Sequence, residues 1–410
     1  MVSIIEVTTK GQLRQFVEYP NILYKDVPQF VPATFDDDMS DWDKKKNPAF
    51  EYCEARCWMA MRNGEMVGRI GAILSHRANE KWHTNRMRFT QVDFIDDEQV
   101  ANALFTTVER WAKEKGCDEV HGPLGFTDLD REGMLVEGFD RRSCFFTYYN
   151  HPYYIDHLTR LGYVKDVDWV ENLIQVPTDE KIIERWRKLS EFVEKRCNLH
   201  VFRPRTRLDY FGLIPRFFKL VNTCYAPLYG TVELTDKQIK RYSGKFAPLV
   251  NPNLAFFIMD EHEDMVAMGV AAPSIAEALK KSRGKYFPTG WVDLLKAPQE
   301  RYHRPAADRR AARLSEEGRQ RHDPVPRHAG LLQAGHQGGR DRPHAGDQRE
   351  GTIPVEGFRH RAAQAPPLLY QEAEIICRTI NLPSPMTAHV FSAGSASRTG
   401  RPSRASWRRC

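Results

Sequence analysis

Lysine runs out at Lys296. Up to that point lysine and arginine are used almost equally, 20 against 21, and from there to Cys410 come 19 arginines and no lysine. Seven of the 14 histidines fall at or after His303. Neither a 3.6-residue nor a 2-residue apolar repeat is sustained between Arg301 and Gly351, and the final stretch is rich in Ser, Arg and Gly. Text of this kind buries too little apolar surface to offset chain entropy, so packed structure has to come from the residues before the boundary. Three readings of residues 298–410 stand side by side. One is a basic disordered tail that binds nucleic acid or membrane, one a disordered linker, and one out-of-frame translation, since GC-rich coding DNA read in the wrong frame yields Arg, Ala, Gly, Pro and His. Shifting the frame by one base from Gln299, with synonymous codons chosen freely, can give KKDTIDLLLIAVRPDYQKKGVNAMI. That text restores lysine, a strand-like apolar run and a glycine-bearing loop.

The boundary also explains the charge. The net +6 suggests an anionic partner, but the positive excess sits largely in the tail. The remainder has a globular composition, 41% hydrophobic and 28% charged over the chain. No run of about 18 apolar residues is present, so no membrane span is expected. The start, MVSIIEVTTK, lacks the pattern of a secretory signal. The eight cysteines are scattered; Cys53 and Cys57 have no second pair to complete a zinc set, so no metal is expected. Reduced thiols and a cytoplasmic location follow as expectations.

Residues 1–178 read as one module. Ser3 to Val7 alternates like a strand, and Gln12 to Lys25 carries Leu13, Phe16, Val17 and Leu23 at helical spacing. Trp58–Arg62 and Met66–Leu74 are apolar runs joined by Asn63-Gly64, a strong two-residue hairpin signal. Phe89–Ile95 is a strand followed at once by a helix over Asp97–Lys115, with Val100, Leu104, Val108 and Trp111 on one face. Asp96 or Asp97 can cap its start and Gly116 can end it. Glu119–His121 is a short strand, Pro152–Leu161 a helix and Val167–Val176 a final strand. Residues 179–297 begin again in the same order. Asp179–Arg196 is a helix, Leu199–Phe202 a strand, Leu208–Tyr225 a helix, Thr235 opens another, and Leu254–Met259 and Met265–Ala272 make a hairpin.

This order, with RFTQVDFIDDEQVANALFTTVERWAKEKGCDEV and YNHPYYIDHLTRLGYVKDVDW, resembles the GNAT (GCN5-related N-acetyltransferase) superfamily, in a two-module branch. The resemblance covers residues 1 to 296 and implies an α/β fold of two tandem mixed-sheet modules, the second truncated. It implies transfer of an acyl group from acetyl-CoA or another acyl-CoA to the amine of a small molecule or peptide. It places cofactor contacts at Gln99, Val100, Ala101 and Asn102. At that helix start the family has a glycine-bearing turn whose N–H groups face the pyrophosphate. Here the turn reads Asp96-Asp97-Glu98-Gln99, with no glycine and three carboxylates that would repel a diphosphate. The cofactor is therefore expected in the second module of an intact parent, and this chain is expected to be inactive.

Catalytic candidates follow from the need for a base on the amine and an acid for the leaving thiolate. The family's late-helix tyrosine position holds Leu158, so Tyr153 and Tyr154, one turn earlier, stand in for it; core packing is the other reading of both. Asn150 matches the family's asparagine before that helix and can equally be a turn residue. Asp93, mid-strand, is a possible base or a solvent-facing strand residue. The acidic run Asp128, Asp130, Glu132, Glu137 and Asp140 could hold a cationic substrate or a metal, or be a solvated loop without ligand spacing. Two non-enzymatic functions remain open: a ligand- or partner-binding module, and nucleic-acid binding through the tail.

Overall fold

The computed structural model describes residues 1–172, 178–204, 206–246, 250 and 255–294, together with 373–378 and 408–409. Two sheets organise it. The first runs β1 (Ser3–Glu6), β2 (Cys53–Arg62), β3 (Glu65–Ser75), β4 (Arg86–Phe94) and β5 (Glu119–His121) in sequence order, with β10 (Arg408–Arg409) beside β5. Its first three pairings are antiparallel and β4·β5 is parallel. Asn63 and Gly64 both take positive φ, 52° and 85°, which gives the β2–β3 turn the twist a tight hairpin needs.

The parallel pair is bridged by α4 (Glu98–Glu114). Val100, Leu104, Phe105 and Val108 on this helix are fully buried against the sheet. Each contributes about 2 kcal/mol of burial. On the opposite face lie α1 (Lys10–Leu23) and α2 (Phe35–Asp41), whose cluster joins Phe16, Val17, Cys57 and Met59. With helices on both faces, a polar residue in the middle of a strand has no route to water. Helix α5 (Tyr153–Arg160) closes the end of β4, and a short α3 (His76–Trp82) links β3 to β4.

Helix α6 (Glu180–Arg196) leads to the second sheet, β6 (His200–Phe202), β7 (Ala255–Met259), β8 (Met265–Pro273) and β9 (Ala373–Arg378). Helices α7 (Arg207–Tyr225) and α8 (Asp236–Phe246) fall between β6 and β7. Strand, two helices, hairpin is thus used twice. Two expectations need correction. Residues 167–172 form no strand apart from a bridge at Trp169, and 173–177 lie outside the described residues. The outer edge of β8 is paired antiparallel with β9, from the tail, instead of lacking a neighbour. The rest of the tail, 295–372, 379–407 and 410, lies outside the described residues.

The two modules dock through α8. Gln238 Nε2 donates to Tyr52 Oη (2.7 Å), Tyr242 Oη to Asp130 Oδ1 (3.0 Å), and Arg241 reaches Lys46 O (2.7 Å) and Asp41 Oδ1 (2.6 Å). A second contact follows β8, where α9 (Ala276–Ser282) and Leu294 pack with Val31. These contacts place the beginning of the first module and the end of the second around one hollow.

Candidate functional site

That hollow is a cavity of about 80 Å³ at the face of the first sheet. Its floor is β3 and β4. The Trp42 indole lies on Gly71, where a Cβ would come within 2.6 Å of the ring, and donates from Nε1 to Gln91 Oε1 (2.9 Å). Gln91 has φ 42°, and the β3–β4 register shifts opposite it. This irregularity brings two successive residues, Thr90 and Gln91, to the cavity wall. β4 and β5 pair only over Arg86–Arg88, after which the chain leaves at Gly122. A Cβ at Gly122 would sit 2.4 Å from Phe89 O, so the close crossing requires glycine. The long loop that follows supplies Phe126, Asp130, Arg131, Phe145 and Tyr148 to the wall, and the second module closes it with Lys245, Phe246 and Tyr286.

The polar side of the wall is a charge cluster. Asp37, Asp38 and Asp41 lie on α2 at i, i+1 and i+4, and Asp130 faces them from the loop. Arg131 Nη2 binds both oxygens of Asp38 (3.0 and 3.1 Å), Arg241 binds Asp41, and Lys245 Nζ lies 3.6 Å from Asp37 Oδ2. Four carboxylates face three cations, one negative charge in excess when all four are ionised. Burial pushes the Asp41 carboxyl up to about 7, and Asp130 and Asp38 push the same way against Lys245 and Arg241. Burial works to discharge Arg131, but Asp38 beside it and the ring of Tyr148, 4.8 Å away, hold its pKa above the ordinary value. An excess carboxylate beside Trp42, Phe126, Phe145, Phe146 and Phe246 suits a cation that carries an apolar group.

A smaller chamber of about 20 Å³ lies behind Arg131 and Asp38, and reaches Arg69 and Asp93. There Asp93 accepts from Arg69 Nε (2.7 Å) and Tyr24 Oη (2.8 Å), and Arg69 also donates to Phe16 O (2.8 Å). Tyr154 Oη lies 2.8 Å from Tyr24 Oη and accepts from Phe94 N (2.8 Å), while Tyr153 Oη donates to Phe94 O (2.6 Å). The structure therefore gathers Asp93, Tyr153 and Tyr154 at one end of β4, and all three hydroxyl or carboxylate groups are engaged. Asp93 is buried and not solvent-facing. Burial raises its pKa, opposed by Arg69, and burial lifts Tyr24 and Tyr154 well above the usual tyrosine range. Asn150 stands apart: it clamps the loop at Leu135 N (2.7 Å) and O (3.1 Å).

The α4 start does not fit a diphosphate. Asp97 caps the helix by accepting from Val100 N (3.1 Å), and its other oxygen binds Arg62 (2.8 Å). Ala101 N donates to Asp97 O within the helix (3.0 Å), and Asp96 is held by His157 Nε2 (2.8 Å). Val100 and Ala101 are buried in the core. With Gln99 and Asn102 they flank a terminus that already carries its own anion, so a phosphate would meet occupied donors and like charge. The cofactor turn expected in the second module would fall after Leu294, outside the described residues.

The chain was compared with known proteins. No family model matches the chain. It is 29% identical over 286 residues to protein YghO of Escherichia coli, covering 70% of this chain and 72% of that one. It is 24% identical over 303 residues to the bacterial ceramide synthase of Caulobacter vibrioides, covering 72% and 76%. Among solved structures it matches a tandem GNAT protein from the clavulanic acid biosynthesis pathway at 10% identity and TM-score 0.35, covering 66% of this chain and 74% of that one. The first sheet, with three antiparallel pairings and then a parallel pair bridged by α4, has the order expected from the resemblance to the GNAT superfamily.

The cavity carboxylates Asp37, Asp38 and Asp41 went unread in the sequence, although the i, i+1, i+4 spacing in FDDDMSD puts all three on one side of a helix. Asp130 belonged to the acidic run considered for a cationic substrate. Arg131, Lys245 and Trp42 carry no local signal, because tertiary packing alone brings them together.

Proposed function

We propose that the chain is built as an N-acyltransferase whose acceptor is an amphiphilic primary amine, bound in the cavity between the two modules. One observation carries this reading: a half-buried group of four carboxylates, set against three cations, faces an aromatic wall in the same hollow. The cluster takes the ammonium head and the wall takes the first carbons of its chain. The closed part is about 80 Å³, roughly half of a ~150 Å³ cavity that holds benzene. It therefore accommodates a head group, and a longer chain extends along the open mouth. The ceramide-synthase relative supports a long-chain amino alcohol as the acceptor class.

Amide formation needs the amine neutral. Asp41, pushed up to about 7, is matched to take that proton near neutral pH. Asp93, with both oxygens committed to Arg69 and Tyr24, serves as a structural anchor and not as the base. An acyl-CoA would supply the activated acyl group. The first module does not fit it, and we assign it to the second module of an intact parent, in the strand and turn that the written frame replaces after Leu295. The chain as written then binds acceptor without turnover, in the cytoplasm, and its tail has no nucleic-acid role.

Calorimetry tests this. Octylamine should bind the full chain and acetyl-CoA should not, while a frame-corrected chain should bind both. Failure of octylamine to bind a folded chain would sink the acceptor reading. A second reading, a binding module without catalysis, is favoured by the self-capped α4, and it predicts no acetyl-CoA binding even after frame correction.

A further inference from the structure

Of the three cations in the cavity cluster, two are clamped. Arg131 makes two hydrogen bonds to Asp38, and Arg241 holds Asp41 and the Lys46 carbonyl. Lys245 differs. Its ammonium has one ion pair among the described residues, to Asp37 at 3.6 Å, beyond hydrogen-bond length. It lines the cavity, sits over the Phe246 ring at 5.7 Å, and feels all four carboxylates. Burial works to lower its pKa, but Asp41, Asp37, Asp130 and Asp38 together raise it, so it stays charged. A primary ammonium on an alkyl stem, set among carboxylates and against an aromatic ring, has the chemistry of the acceptor proposed above.

We infer that Lys245 is a built-in surrogate for the acceptor's ammonium, occupying the head-group position until the amine displaces it. This rests on the reading of the cavity as the acceptor site. Three features favour displacement over permanent residence. The contact is long, so no hydrogen bond is lost when it breaks, and the arriving ammonium takes over the attraction of the four carboxylates. The lysine comes from α8 on the flexible four-carbon stem that lets an ammonium swing out to solvent, unlike the planar guanidiniums beside it. Nearly a quarter of its side chain (23%) already meets solvent, so a path outward exists. The acceptor then exchanges one ammonium for another, and the charge balance of the cluster is unchanged. Selectivity follows, because a neutral alcohol of the same length cannot replace a cation there.

Titration of octylamine into the full chain and into Lys245→Gln tests the idea. Removing the competing charge should tighten octylamine binding about tenfold, while Lys245→Arg should not tighten it. Unchanged or weaker binding by Lys245→Gln, with binding intact in the unsubstituted chain, overturns the surrogate role and leaves the acceptor reading standing. No octylamine binding by any folded form overturns both. A crystal structure of the unsubstituted chain with octylamine checks the same point without a variant. The bound nitrogen should lie among Asp37, Asp41 and Asp130 with Lys245 Nζ swung out. Finding both ammoniums inside would overturn the proposal.

Discussion

Asp93→Asn separates an anchor from a base. Asp93 and Arg69 are 5% and 2% exposed, and their 2.7 Å contact is the sole ion pair of Arg69 among the described residues. The amide can keep the Tyr24 hydrogen bond on one side, but on the other it presents either an uncharged acceptor or a donor to Arg69 Nε. A guanidinium is then left inside the sheet without an anion. Breaking one side of such a buried pair costs about 3–5 kcal/mol, a large fraction of the ~5–15 kcal/mol that holds a protein of ordinary stability together. For a body of this size that corresponds to a fall in thermal midpoint of about 10 °C. The assay is urea and thermal unfolding followed by circular dichroism at pH 7. The paired variant Arg69→Met with Asp93→Leu should recover most of the loss, since it removes both charges and fills the space. A midpoint within ~2 °C of the unsubstituted chain would refute the anchor role and return Asp93 to the list of candidate bases.

Three further outcomes are expected. Asp41 is held near 7 in the fold, against 3.8 for the ordinary carboxyl. A raised carboxyl keeps its proton to higher pH when folded than when unfolded, so stability should rise as pH falls from 8 to 5.5. The gain is at most about 2 kcal/mol, less for the 18% of the side chain that meets solvent, and Asp41→Asn should flatten it in pH-dependent thermal melts. Gly71→Ala drives a methyl to within 2.6 Å of Trp42. It should displace the indole from the cavity floor, cost about 1–3 kcal/mol and weaken octylamine binding, as read by calorimetry. Arg241→Leu removes the hydrogen bonds to Asp41 and Lys46 O; protease digestion should then cut between the modules faster, and an unchanged rate would show that α8 docks without it.

Local physics made the scaffold legible. Asn63-Gly64 fixed a hairpin because few turns other than a primed one join two apolar runs across two residues. Helix α4 was readable from Val100, Leu104, Val108 and Trp111 and from its Asp97 cap. The site was harder to read. Asp93 had two readings because strand alternation tells which residues share a face, not whether the opposite face is covered. Here α1 and α2 cover it, and the charge is buried. The register irregularity at Gln91, which turns Thr90 and Gln91 into the cavity, has no sequence signal. Arg131, Phe145 and Tyr148 reach the wall from a long loop whose path is set by Gly122 against Phe89 O and by Asn150 against Leu135. Lys245 arrives from another module. Only the acidic spacing of α2 was open to a reader, and its lack of an apolar stripe hid the helix that carries it.

The tail brings the last prediction. The text before Lys296 closes a docked surface: Leu279 and Leu294 pack on Val31, and Gly284 O accepts from Phe35 N (2.8 Å). The relatives match over 70% and 72% of the chain, which is about the share that precedes the composition break. The acyltransferase proposed above calls for another strand and a phosphate-facing turn after β8. The written text places Ala373–Arg378 beside β8, whereas the shifted frame offers DLLLIAV directly after the break. If the shifted text is the ancestral one, sequencing the coding DNA across Leu295 to Arg301 will find one base lost or gained. The corrected chain will then bind acetyl-CoA, and a chain ended after Lys296 will melt within ~2 °C of the full chain. If the frame is confirmed as written and the shortened chain aggregates, then residues 373–378 are a working edge strand for β8. The arginine-rich tail would in that case be part of the fold, and its affinity for nucleic acid should be measured as a function of salt.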